Sequence, residues 1–264
     1  MANKENSALA QALTRYLDCP CTYYAPMRDD DPLMEAFREA QQRGKEQGFT
    51  PVIVAADDDV LMEALVCATD SAVEGEDYAF DIEAVRAFRR GVLSDGIADS
   101  DEVFGRMFAV REAECEADGE DYGFDGCIAD SAELPEIEDR FFGYWDYASK
   151  KTMPVIIAEI PTDKPWEIFA WLPFGGWNEC PDAADMMAVS KSWYDRYGAV
   201  PSVITHDVLD YELSRSVPVT DAMRLAREQF GFCPDVIYSA EEDFTAGTLA
   251  ASLMKARFWT FWWD

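Results

Sequence analysis

The chain has 264 residues, 49% of them apolar, which is enough for one large or two small globular domains and excludes wholesale disorder. Lys plus Arg is 22 and Asp plus Glu is 52, a formal net charge of −30. Such a chain is repelled by nucleic-acid phosphates and by anionic lipid, so neither is an expected partner. No apolar run reaches the ~18 residues needed to cross a bilayer. Residues 1–10 are polar, without the apolar core of a secretory signal, and seven scattered cysteines suit a reducing compartment, so the expected location is cytoplasmic.

In chain order, residues 7–17 and then 32–47 are predicted as helices, the second with Asp31 as cap and Pro32 in its first turn. Residues 49–56 form a short apolar run after Gly48 and are expected to be a buried strand. Asp57 to Asp59 then cap a helix that carries Leu61, Leu65 and Val66. Residues 70–146 are expected to be helical and acidic, with three helices marked by Ile82 and Val85, by Val103, Phe104 and Met107, and by Ile137, Phe141, Tyr144 and Trp145. Two short strings recur there at offsets of 44 and 31 residues, which is no fixed period and so no solenoid. A calcium loop starting at Asp118 fails because its twelfth position is Ala129.

From residue 153 the character changes, and seven of the eight tryptophans lie at or after Trp166. Residues 153–160 and 166–172 are predicted as strands, antiparallel neighbours across a short linker. A helix follows, with Asp182 as cap, Met186, Val189, Trp193 and Tyr197 as its apolar stripe and Gly198 at its end. Residues 200–209 are predicted as one strand, which with the 166–172 strand and the helix between them would make a right-handed crossover. Thr220 is expected to cap a helix closed by Gly231, and a further helix runs near 245–256. The aromatic end, 258–264, favours a strand. The expected class is α/β, with α+β the alternative: a mixed sheet flanked by helices. Residues 1–150 form an acidic, mostly helical portion that can lend the 49–56 strand to the sheet, and residues 151–264 form a Trp-rich α/β domain.

Several strings in the second half are distinctive. They are Trp171-Leu-Pro-Phe-Gly-Gly-Trp-Asn-Glu-Cys-Pro-Asp182, Trp193-Tyr-Asp-Arg-Tyr-Gly-Ala199, Thr205-His-Asp207, Glu228-Gln-Phe-Gly-Phe-Cys-Pro-Asp235 and Phe261-Trp-Trp-Asp264. In this order and at these spacings the last ~110 residues resemble the bacterial domain of unknown function numbered 4253. The resemblance implies a bacterial origin and a compact α/β domain, and it brings no activity and no catalytic residues.

The candidate chemistry is sparse. Cys180 and Cys233 each stand in Cys-Pro-Asp, and Cys180 precedes a helix start whose N–H groups favour a thiolate. His206, the single histidine, with Asp207 to orient it, would complete a cysteine nucleophile if it met either sulfur. The plainer reading makes both cysteines packing residues and His206 a core histidine on the face of Ile204 and Val208. Cys19-Pro-Cys21 is one short pair with no second pair beside it, so no metal and no cofactor are expected. Gly175, Gly176, Trp177 and Asn178 form a strand-to-helix connection in which two glycines allow close backbone approach. It lacks the Lys-Ser/Thr of a phosphate loop. Trp262, Trp263 and Asp264 are core or, if exposed, an aromatic interaction patch.

Residues 51–150 hold 27 acidic and 7 basic side chains, a net −20. With the aromatic second half, this leads to a non-enzymatic protein-binding module, immunity-like by analogy of composition, that engages a basic protein partner. The alternative is a cysteine-nucleophile hydrolase or transferase using Cys180 or Cys233 with His206.

Overall fold

The computed structural model describes residues 7–73, 75, 77–130, 140–240 and 244–263. Six strands form one mixed sheet in the order β1-β5-β2-β6-β7-β8, from Cys21–Tyr24, Val155–Ile160, Thr50–Ala55, Val200–Ile204, Val208–Glu212 and Phe258–Trp262. β2 and β6 run parallel, with Ile53 opposite Val203, and every other neighbouring pair is antiparallel. β3 (Trp145–Asp146) and β4 (Lys151–Thr152) make a separate two-stranded ribbon.

Strand alternation divides the interior into two cores. Val52 and Val54 of β2 and Ile156, Ala158 and Ile160 of β5 face the larger one. It is roofed by α1 (Ala8–Leu17), α3 (Asp59–Ala68), α5 (Ser100–Asp118), α6 (Ala183–Tyr197), α7 (Val219–Phe232) and α9 (Ala246–Leu253). Ile53, Val155, Ile157 and Val203 face the smaller core, where α2 (Asp31–Gln47) contributes Leu33, Phe37 and Ala40 and the 141–144 segment contributes Phe141 and Tyr144. α4 (Ile82–Ser94) and the one-turn α8 (Asp235–Tyr238) complete the elements named below.

The larger core centres on Trp193, whose ring lies 5.1–5.9 Å from those of Phe104, Tyr211, Phe232, Trp259 and Phe261. Its indole N–H donates to buried Glu228 at 3.0 Å, and Arg196 neutralises that carboxylate at 2.5 Å. The one polar atom of this Trp is thereby satisfied.

Helices form where the sequence places them, but Asp31 is the first residue of α2 and not its cap, which is Asp30. Ser7 Oγ accepts from Ala10 N, Asp182 accepts from Asp185 N, and Gly198 ends α6 at φ +61°. Elsewhere the structure corrects the expectation. Residues 165–170 are a 3₁₀ helix, not a strand, so neither an antiparallel neighbour of β5 nor the proposed crossover exists. Pro165 starts the turn, and Glu167 fixes it by accepting from Thr162 Oγ1 (2.7 Å) and Lys164 Nζ (2.8 Å). Residues 200–209 are not one strand. Thr205 Oγ1 accepts from Asp207 N and Val208 N and turns the chain into the β6–β7 hairpin.

The third expected helix is absent over residues 140–145, while Ile137 lies outside the described residues. Phe142 N and Gly143 N instead donate to the buried carboxylate of Asp210 in β7, pinning that segment to the sheet. Thr220 does not cap α7, which starts after Pro218. Gly231 does not close α7 either. It lies inside the helix against α5, where a Cβ would come within 2.9 Å of Phe108 N. β1 was not expected at all, because four half-exposed residues at a sheet edge carry no clear alternation.

Candidate functional site

The two parallel strands end side by side, at Ala55 and Ile204, and their continuations diverge. One enters α3 through Asp57-Asp58-Asp59, and the other reverses through Thr205-His206-Asp207. Ligand sites of open α/β sheets favour such carboxyl ends. A cleft of about 340 Å³ lies between them, lined by Asp57, Asp58, Asp59, Met153, His206 and Asp207 among others.

Asp58 ties the two loops together. Its Oδ1 caps α3 by accepting from Leu61 N at 2.9 Å. Its Oδ2 accepts from His206 N and faces His206 Nδ1, both at 2.9 Å. A carboxylate only accepts, so the Nδ1 position carries the proton. His206 Nε2 lies 3.6 Å from Asp207 Oδ2. Asp207 is itself held by Thr205 Oγ1 at 2.8 Å and by the indole N–H of Trp262 at 3.0 Å. Trp262 is the exposed member of the terminal cluster, at 39%. His206 is therefore a half-exposed turn residue, not a core histidine on the face of Ile204 and Val208. With four carboxylates around one imidazole, this cleft repels anions.

The two Cys-Pro-Asp sulfurs lie elsewhere. Cys180 is buried, and burial, with the nearby Cys233 thiol, pushes its own thiol well above the usual range. Cys233 is buried and pushed up to about 12 by burial, with Asp235 adding to the shift. Its thiol donates to Trp262 O at 3.0 Å. Desolvation outweighs the helix-start effect expected for Cys180. His206 has Asp58 and Asp207 as partners and neither sulfur, so the nucleophile and base of the alternative reading are not brought together.

The 175–178 connection folds onto itself. A Cβ on Gly175 would lie 1.8 Å from Pro181 O, Gly176 adopts φ +89°, and Gly176 N donates to Cys180 O and Pro181 O. Asn178 also has positive φ, and Trp177 donates its indole N–H to Phe174 O at 3.0 Å. Trp263 is buried, bonded to Phe232 O at 3.3 Å, and Asp264 lies outside the described residues. Among the described residues, Asp29, Asp30 and Asp31 are the group whose carboxylates converge closely enough for a cation. Asp30 already accepts from Tyr144 and Asp29 from Asp31 N.

A second concavity, of about 530 Å³, lies at the C-terminal end of α5. Glu114, Asp118, Glu120, Glu179 and Asp235 line it together with Tyr122 and Tyr238, and its one cation, Arg111, pairs with Glu114 at 2.6 Å. α5 places Glu114, Glu116 and Asp118 at its own negative end with no basic residue in the last turn. That arrangement opposes the helix dipole. No stretch of sequence joins these groups, since they come from α5, the 120–122 turn, the 179 loop and α8.

No curated protein and no solved structure matches the chain. One family model does: residues 156–264, from β5 to the end, match the family described as a domain of unknown function (DUF4253).

Proposed function

We propose that this protein is a non-enzymatic acidic binding module that holds a basic protein partner at the C-terminal end of α5. The observation that carries the reading is the groove just described, where five carboxylates and two tyrosines meet a single, already paired arginine. A cationic side chain there gains carboxylate partners and tyrosine ring faces, and it relieves the charge stacked against the helix dipole. Three basic residues of the 51–150 stretch are engaged within the molecule. Arg86 pairs with Asp18 and Glu83, Arg106 pairs with Asp185, and Arg89 is buried.

A chain of this charge attracts any polycation, so the test compares two variants of equal net charge. Glu114→Lys, Asp118→Lys and Glu120→Lys together are set against Glu35→Lys, Glu39→Lys and Glu46→Lys on exposed α2. Binding of an arginine-rich peptide is measured between low and physiological salt. The groove variant is expected to lose roughly tenfold or more in affinity and most of the salt dependence, and the α2 variant much less. Equal losses in the two variants would remove the groove from the proposal.

A further inference from the structure

The Cys19-Pro20-Cys21 turn joins α1 to the edge strand β1, and neither the nucleophile reading nor the groove involves it. Both cysteines are half-buried free thiols, close enough for each to shift the other's titration. Two residues of chain span at most about 7 Å, so their Cα atoms stay near the reach of a disulfide.

A buried cation lies beside Cys19. Arg89 of α4 is 6% exposed and stacks over the rings of Tyr16 (5.6 Å) and Trp171 (5.5 Å). Its guanidinium donates to Tyr16 O, and its Nε has no hydrogen-bond partner among the described residues. The adjacent carboxylate, Asp18, is taken by Arg86 through two bonds of 2.7 and 3.0 Å. Arg89 is thus a desolvated positive charge without a carboxylate in ion-pair contact among the described residues, and Cys19 lies within its field. An anion formed on the dithiol would satisfy it. The two thiols differ through each other, not through Arg89. The hydrogen bond from Cys19 holds Cys21 below the usual thiol range, against burial and Glu159, while Cys19 is raised.

We propose that Cys19 and Cys21 form a redox-active dithiol, supported by Arg89, that exchanges with low-molecular-weight disulfides and closes reversibly to an intramolecular disulfide. Cys21 thiolate attacks one sulfur of the external disulfide, forming a mixed disulfide and expelling one thiolate. Cys19 then loses its proton and attacks the Cys21 sulfur, expelling the second thiolate. Two protein thiols are oxidised, one external disulfide is reduced to two thiols, and the two protons released reside on those products.

The whole chain is treated with oxidised glutathione at pH 7, quenched with an alkylating agent and read by peptide mass. Exposed Cys67 serves as the internal reference. The 19–21 peptide is expected to lose two hydrogens, roughly fivefold faster than Cys67 is modified. Cys19→Ser should trap the glutathione adduct on Cys21, and Cys21→Ser should abolish the fast reaction. Arg89→Gln should slow it, with Arg89→Lys restoring part of the rate. Retention of both thiols, or modification no faster than at Cys67, overturns the proposal. Equal rates in the two Arg89 variants and the natural chain remove the arginine from it.

Discussion

Residues 156–264 and the residues before them differ in what they contribute to one sheet. The matched segment supplies β6, β7, β8 and all but the first residue of β5, holds seven of the eight tryptophans and has 17 acidic against 8 basic side chains. The preceding part is far more acidic, yet it supplies β2, which lies between β5 and β6. All six residues of β2 are buried, and they pair with β5 along the whole strand. The distinctive strings of the second half therefore cannot close their own sheet, because β5 and β6 meet only through a strand from outside. The largest expected effect follows. The isolated 151–264 segment should show no cooperative thermal transition by circular dichroism, because without β1 and β2 both edges of β5 and one edge of β6 are unpaired and both cores are open. A cooperative melt of that segment would show that the matched region folds without β2.

The comparison sharpens inside the second half, where the aromatic residues act as packing and not as a surface. Trp193 touches five rings and is fully buried, so Trp193→Ala should cost about 3–5 kcal/mol in denaturant unfolding. Trp262→Ala, on a 39% exposed ring whose polar bond goes to Asp207, should cost far less. Similar losses at the two sites would contradict the division between core and cleft.

Local signals were legible in the sequence. Ser7, Asp182 and Gly198 mark helix ends through side-chain or left-handed geometry that neighbouring residues alone determine. The apolar runs at β2 and β5 are buried on both faces and read as strands for that reason. Long-range pairings were not legible. His206 is fixed by Asp58, 148 residues away, and an Asp-Asp-Asp string reads as a helix start whether or not an imidazole meets it. The 165–170 turn has strand-like composition, and its Thr162–Glu167 bond overrides that composition. Arg89 beside Cys19 joins α4 to the end of α1, and no spacing rule predicts such a contact.

An ionisable group ties the two parts together inside the core. Asp210 of β7 is fully buried, and its Oδ2 accepts from Phe142 N at 3.0 Å and Gly143 N at 2.8 Å, both from the earlier part of the chain. Burial raises its carboxyl from 3.8 to about 6, against the lowering effect of those backbone bonds. Between pH about 4 and about 6 the folded state therefore keeps a proton that the unfolded chain releases. Rising pH removes stability over that window, and the loss is complete above the folded value. A rise from 3.8 to about 6 corresponds to about 3 kcal/mol. Asp210→Asn keeps an acceptor for Phe142 and Gly143 and cannot ionise. The stability difference between the variant and the natural chain should therefore shift in favour of the variant by up to that amount as pH rises from 4 to 7. Other carboxylates contribute equally to both chains and cancel in the difference. Parallel stability curves across that range would mean that Asp210 titrates as it does in the unfolded chain.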